Sequence, residues 1–311
     1  MKKFLLFFLL FSCALNAVNY PPEEKRGVKR HIEEIMQEPE IDQVFNIACQ
    51  AIQTGNRLLL SQILNAGFNI NTTDENGWTL LIHAANLEQV EIVDLLLERN
   101  ADVNVTDQNN LSALNVAVSV ENVPIIQRLL QRRDILLNEP DEEENTPLMN
   151  AILVENDEII DLILTREMID RGLNINYANE QGETPISQAI HLNNLRALNK
   201  LIELGADLQS ITKTKKSVLQ LAIALERAMA LLRLLDIPDI DVNQKNLGKT
   251  ALMIAASKGD LELARKLLKK GAKIDLQDYL GLTAFDYAKN SMSDNKYKML
   301  VLLRPNLEES K

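Results

Sequence analysis

The 311-residue chain predicts an all-α repeat solenoid, a stack of about eight helix-turn-helix units joined by β-hairpin-like fingers. Three observations carry this. A Thr or Ser stands five residues before an Ala in Thr79/Ala84, Ser112/Ala117, Thr146/Ala151, Thr184/Ala189, Ser217/Ala222, Thr250/Ala255 and Thr283/Ala288, at spacings of 33, 34, 38, 33, 33 and 33. Apolar residues recur at helical spacing within each unit, as at Val90, Val93, Leu96 and Leu97. Aromatics make up only 4% of the chain against 46% hydrophobic residues, which suits thin helical layers better than one large central core.

The elements follow in order. Residues 1–17 read as a signal peptide: Met1-Lys2-Lys3 is a basic start, Phe4 to Phe11 is apolar, and Ser12, Ala14 and Ala17 offer small residues for cleavage. Leu10-Phe11-Ser12-Cys13 also resembles a bacterial lipoprotein box, which makes a lipid anchor at Cys13 the alternative. Residues 18–42 form a lead-in whose Val28, Ile32 and Ile35 mark a helix that would cover the first unit. Residues 43–305 hold the repeats, the first of them a degenerate unit with Ala48 and Ile63 to Asn71. Residues 306–311 are a tail. No other apolar run is long enough to cross a bilayer.

Within a unit, Thr146 and Thr184 precede Pro147 and Pro185, a hydroxyl cap before a proline at the first helical position, where its missing N–H is harmless. Small residues such as Ala84-Ala85 and Ala255-Ala256 let neighbouring helices approach closely. The second helix ends at Gly67, Gly172, Gly205 or Gly271, where a left-handed cap is easiest for glycine. Asp/Asn-rich stretches such as Asp102 to Asp107 then turn the chain into a finger. The last unit's second helix, around Lys296 to Leu303, is studded with Lys and reads as a C-terminal cap.

Two segments, Gly248 to Ala256 followed by Leu267 to Asp275, and Gly77 to Leu81 followed by Ile92 to Leu97 and Ala101 to Asn104, resemble ankyrin repeats. The resemblance implies a His three residues after each cap, bonding between neighbouring repeats. Here that place holds Ile82, Asn115, Met149, Ser187, Gln220, Met253 and Asp286, so that network is expected to be absent. The 38-residue unit departs differently, with Thr165 to Arg171 lengthening the second helix or its exit loop.

Charge is uneven along the chain. From Asp74 to Glu180 there are 22 acidic residues against 6 arginines and no lysine, whereas Ile211 to Asp275 holds 13 basic residues against 7 acidic. In a stack these would be separated in space and either steer a partner or simply solvate two faces. Nucleic-acid binding is not expected, because the basic stretch lacks interleaved aromatics and the net charge is −11.

Chemistry is sparse. His31, His83 and His191 sit in different units with no metal-ligand or triad spacing, and there is no phosphate loop, Cys-x-x-Cys pair or Gly-x-Ser-x-Gly elbow. Cys49 takes the place of Ala85 and Ala256 and reads as a packing residue. No cofactor and no metal are implied. A catalytic reading would need an acid/base pair near Glu167, Asp170 and His191.

Binding is what remains. The ankyrin resemblance implies recognition of a protein through finger tips and the concave first-helix face. Trp78, the sole tryptophan, lies in a finger at a position the framework does not dictate; it is either a binding anchor or a contact to the neighbouring finger. Asn145, Glu183, Lys249 and Tyr279 occupy comparable places, and Lys213, Lys215 and Lys216 form a basic finger. The sequence thus reads as an exported, non-enzymatic protein-binding module, bacterial by its Lys-Lys start. Self-assembly through opposite charges is the scaffold alternative.

Overall fold

The computed structural model describes residues 41–208, 217–238, 240–245 and 247–304. The signal peptide, Cys13, His31, the lead-in helix, the basic finger Lys213, Lys215 and Lys216, and the tail lie outside the described residues. The chain divides into two compact units between Glu143 and Glu144, and each is described by itself.

The first unit holds three helix pairs: α1 (Ile41–Gln53) with α2 (Arg57–Asn65), α3 (Leu80–Asn86) with α4 (Val90–Glu98), and α5 (Ala113–Ser119) with α6 (Val123–Gln131). First helices pack on first helices, α1 on α3 and α3 on α5, and second on second, α2 on α4 and α4 on α6. The core between them is built from Ala48, Ala84, Ala85 and Ala117, all fully buried, with Leu60, Ile92, Leu96, Ile125 and Leu129. A helix pair cannot cover its own apolar face, so each layer depends on its neighbour.

The second unit runs through α7 (Pro147–Leu153), α8 (Asp157–Ile163), α9 (Arg166–Asp170), α10 (Pro185–Leu192), α11 (Leu195–Glu203), α12 (Val218–Ala224), α13 (Ala228–Leu235), α14 (Ala251–Lys258), α15 (Leu261–Lys269), α16 (Ala284–Lys289) and α17 (Lys296–Leu302). The same pairing repeats: α7, α10, α12, α14 and α16 pack in series as first helices, and among second helices α8 packs on α11, α11 on α13 and α15 on α17. The insertion Thr165 to Arg171 neither lengthens α8 nor forms an open loop. Thr165 accepts the Met168 N–H as an N-cap, so α9 starts afresh, and Met168 is buried against the layer.

Every first helix from α3 onward begins at the hydroxyl that the period picks out. Thr79, Ser112, Thr146, Thr184, Ser217, Thr250 and Thr283 all have extended backbones and accept an N–H three residues on. Between the two helices of each pair but the last lies a left-handed residue, and Gly fills it only at Gly55 and Gly259. Glu88, Glu121, Glu155, Asn193 and Glu226 take it elsewhere, at φ of 55° to 57°. Gly259 has a local reason: a Cβ there would come within 2.0 Å of Ser293 Oγ.

The expected loss of polar bonding at the family's His position holds only in part. Ile82 and Met149 are buried there as packing residues, but Gln220 Nε2 donates to Gln244 O at 3.1 Å and Lys249 O at 2.8 Å in the next finger. Polar bonds also join neighbouring second helices within each unit, Arg128 to Asp94 in the first, and Arg196 and Lys200 to Asp161 and Arg233 to Asn199 in the second. The Lys-studded cap also carries apolar surface, since α17 leaves Tyr297 and Val301 open to solvent beside Lys296 and Lys298.

Candidate functional site

The fingers are fixed by one carboxylate device. Asp74, Asp107 and Asp278 each use Oδ1 to accept the N–H groups two and four residues on: Asn76 and Trp78 at 2.9 Å, Asn109 and Leu111 at 2.8 Å, Leu280 at 2.8 Å and Leu282 at 2.9 Å. The same residue's N–H closes the turn onto the carbonyl four residues on, at 3.0 to 3.1 Å. This tight turn is why Asp recurs at the start of a finger. It leaves Oδ2 for one further donor, and the three fingers use it differently.

At Asp107 the donor is the Trp78 indole, whose Nε1–H reaches Oδ2 at 3.0 Å. The ring also stands edge-on to His83, centroids 5.1 Å apart, and His83 Nε2 lies 3.0 Å from Asp74 Oδ2. The Phe45 ring also stands edge-on to the imidazole, centroids 5.8 Å apart. Gly77 lies so close to the next finger that a Cβ would come within 3.1 Å of Asp107 Cα. Trp78 is therefore half-buried between two fingers, with its polar end satisfied.

The remaining described candidates lie in the second unit. Asn145 is buried at the foot of its finger. Glu183 accepts from Ser187 Oγ at 2.7 Å and pairs with His191 Nδ1 at 3.2 Å. Burial alone would raise this carboxyl, but the His191 and Ser187 hydrogen bonds outweigh it and hold Glu183 below the ordinary range. His191 is thus tied to Glu183 and not to Glu167 or Asp170, the acid/base partners a catalytic reading needs. Ser187 Oγ is likewise directed at the carboxylate, so the three groups do not form a nucleophile and base.

Lys249 and Tyr279 are brought together on the last two fingers. Tyr279 is 83% exposed and Leu280 81%, at the tip of a turn held rigid by Asp278. The Tyr279 ring and backbone cover Gly248, where a Cβ would come within 2.9 Å, and the left-handed φ of +79° adds a second demand for glycine. Leu247, 57% exposed, precedes it. Lys249 is exposed and its Nζ sits 5.0 Å above the Tyr287 ring. Tyr287 in turn donates its hydroxyl to Asp278 Oδ2 at 2.7 Å; burial first, then that carboxylate, push its phenol up to about 12. Leu247, Leu280 and Tyr287 went unread in the sequence, although Asp278 and Tyr287 share the nine-residue spacing of Asp74 and His83.

Models of ankyrin repeats match residues 45–139 and 133–212, and a further ankyrin-repeat model matches residues 234–288. The chain belongs to the ankyrin-repeat family. Human ASB11's ankyrin repeat domain superposes with a TM-score of 0.55 at 20% identity, covering 72% of this chain and 97% of that one. The ankyrin repeat domain of Bcl-3 gives 0.53 at 19%, covering 82% and 97%. Among curated proteins, the ankyrin repeat, SAM and basic leucine zipper domain-containing protein 1 of Bos taurus is 40% identical over 52 residues, 17% of this chain and 11% of its own length. Protein glp-1 of Caenorhabditis elegans is 29% identical over 167 residues, 48% of this chain and 13% of its own. The chain spans about a tenth of the length of these curated relatives.

Ankyrin repeats are in general protein-interaction modules, and the fingers of this ankyrin-repeat chain divide accordingly. Trp78 has its donor and part of its ring engaged within the fold, whereas Tyr279, Leu280 and Lys249 are exposed to solvent. Among the described residues no group of His, Cys, Asp and Glu is arranged to hold a metal ion, and no helix is long and apolar enough to cross a membrane.

Proposed function

We propose that this ankyrin-repeat chain is a non-enzymatic binding module whose protein partner docks on the tips of the last two fingers. The observation that carries the reading is the pair Tyr279 and Leu280, more than four-fifths exposed on a turn whose backbone is already ordered. A rigid, exposed aromatic loses little conformational entropy on binding and suits a central anchor. Lys249, held over Tyr287, adds a charged contact beside it.

The proposal includes export. It is supported by the basic start Met1-Lys2-Lys3 and the apolar run Phe4 to Phe11, with lipidation of Cys13 as the variant of the same route. The Lys-Lys start supports a bacterial source, while the matched curated relatives named above are animal proteins. The mass of the mature chain decides between cleavage, lipidation and retention.

The function is tested by affinity capture from the native host, wild type against Tyr279→Ala/Leu280→Ser/Lys249→Ala. A protein held by the wild type and lost by the triple variant supports the fingertip site. A partner held equally by both removes it, and the absence of any protein partner removes the binding reading itself.

A further inference from the structure

A different face of the last repeat departs from the surface of its neighbours. Helix α15 follows the cap Asp260 and α17 follows Asn295, so the second and sixth helical residues are Glu262 and Lys266 in one and Tyr297 and Val301 in the other. Glu262 and Lys266 form an ion pair at 3.1 Å, with 82% and 41% of their side chains exposed even though α17 packs against α15. In α15 these two positions face water even with α17 packed beside it. In α17 the same two places carry apolar groups that are 79% and 75% exposed, and Met292 in the turn before it is fully exposed. Met299 and Leu303 supply the buried face of α17, so Tyr297 and Val301 are not the residues that pack it onto the stack.

The charge around this stripe is equally particular. Residues 287–304 hold Lys289, Lys296, Lys298 and Arg304 against one acid, Asp294, in a chain of net charge −11. Among the described residues none of these four cations has an ion-pair partner. An apolar i, i+4 ridge rimmed by unpaired cations is complementary to an amphipathic helix whose apolar stripe is flanked by carboxylates.

We propose that α17 docks an acidic amphipathic helix of a partner protein, with Tyr297, Val301 and Met292 taking the apolar stripe and Lys298 and Arg304 the carboxylates. A second copy of this chain fits less well, since two α17 helices would bring lysines against lysines. An anionic bilayer fits less well too, because seven helical residues offer little to insert and the strongly acidic chain is repelled at long range. The proposal rests on the reading of the chain as a protein-binding module but uses a separate face. Its failure leaves the Tyr279 fingertip test unaffected.

The test is fluorescence polarisation of the full chain with a labelled amphipathic peptide of about four helical turns, leucines on one face and glutamates on the other. A twin peptide with lysine for glutamate and vesicles of phosphatidylcholine with phosphatidylserine are the competing probes. Tyr297→Glu/Val301→Lys rebuilds the surface that α15 already carries, so the fold is retained. The acidic peptide is expected to bind at least about tenfold tighter than its twin, with a loss of about tenfold in the double variant, each equivalent to about 1.4 kcal/mol. Equal binding of the two peptides, an unaffected double variant, binding to vesicles alone, or a dimer that the double variant dissolves would each overturn it.

Discussion

The Trp78 indole N–H donates to Asp107 Oδ2 at 3.0 Å, across 29 residues of chain, and so joins the fingers of two consecutive repeats. The same carboxylate's other oxygen holds its own turn through the Asn109 and Leu111 N–H groups. Trp78→Phe keeps most of the ring contact with His83 and removes the donor. It is expected to cost about 1 kcal/mol in denaturant unfolding. In a double-mutant cycle with Asp107→Asn the two changes should be coupled by a similar amount; strict additivity would show that the bond contributes nothing.

The left-handed position between helices gives opposite outcomes at two equivalent places. Glu155 adopts φ 55°, a conformation that costs a side chain about 1–2 kcal/mol and glycine almost nothing. Glycine's freer unfolded state offsets about 0.4–1 kcal/mol of that, so Glu155→Gly should stabilise by roughly 0.5 kcal/mol. Gly259→Ala should destabilise by more than 1 kcal/mol, because the added methyl meets Ser293 Oγ at 2.0 Å and Cβ at 2.3 Å. Thermal unfolding of both variants checks the pair.

How much of this was legible in the sequence follows from where the information sits. The caps from Thr79 to Thr283 could be read because a hydroxyl acts on its own backbone three residues on, and all seven start helices. The left-handed glutamates could not, since no side chain marks Glu88 or Glu121 as occupying a glycine-like conformation; the helix ends there are closed by backbone bonds, Gln89 N–H to Ala84 O and Asn122 N–H to Ala117 O. Trp78 was readable as a residue the framework does not dictate, but its partner Asp107 belongs to another repeat. Tyr279 and Lys249 were readable as variable finger residues, yet their joining through Tyr287 and Gly248 required the fold. Thr165 carried its own cap signal, and the length of the unit alone did not show that it starts α9.

Asp161 provides a pH-dependent contribution. The Arg196 hydrogen bond first, helped by Lys200 at 2.7 Å, outweighs desolvation and lowers its carboxyl from 3.8 to about 2. A depressed folded value means the stabilisation is complete above the ordinary carboxylate range and is lost as pH falls from about 4 to about 2. The Tm gap between wild type and Asp161→Asn should therefore be constant from pH 7 to 5 and close by pH 2. It should be small and shrink with added salt, because the pair is partly exposed. A gap that widens on acidification contradicts the assignment.

Cys49 should be a poor nucleophile in the folded chain. Burial, with a contribution from the Asp74 charge, pushes its thiol from 9.0 up to about 12. At pH 8 the thiolate is then only about one part in ten thousand, and the thiolate is the reactive form. Iodoacetamide labelling should be slow in buffer and accelerate sharply at the unfolding transition; rapid labelling of the native protein would show that the site is open and charged.

The central claim is that a protein is held at the tips of the last two fingers, and the most direct measurement places a photo-crosslinking amino acid at position 279, with position 78 as the control, in the native host. A single discrete adduct from position 279 and none from position 78 is the predicted result. An adduct from position 78, with position 279 silent, would contradict the account.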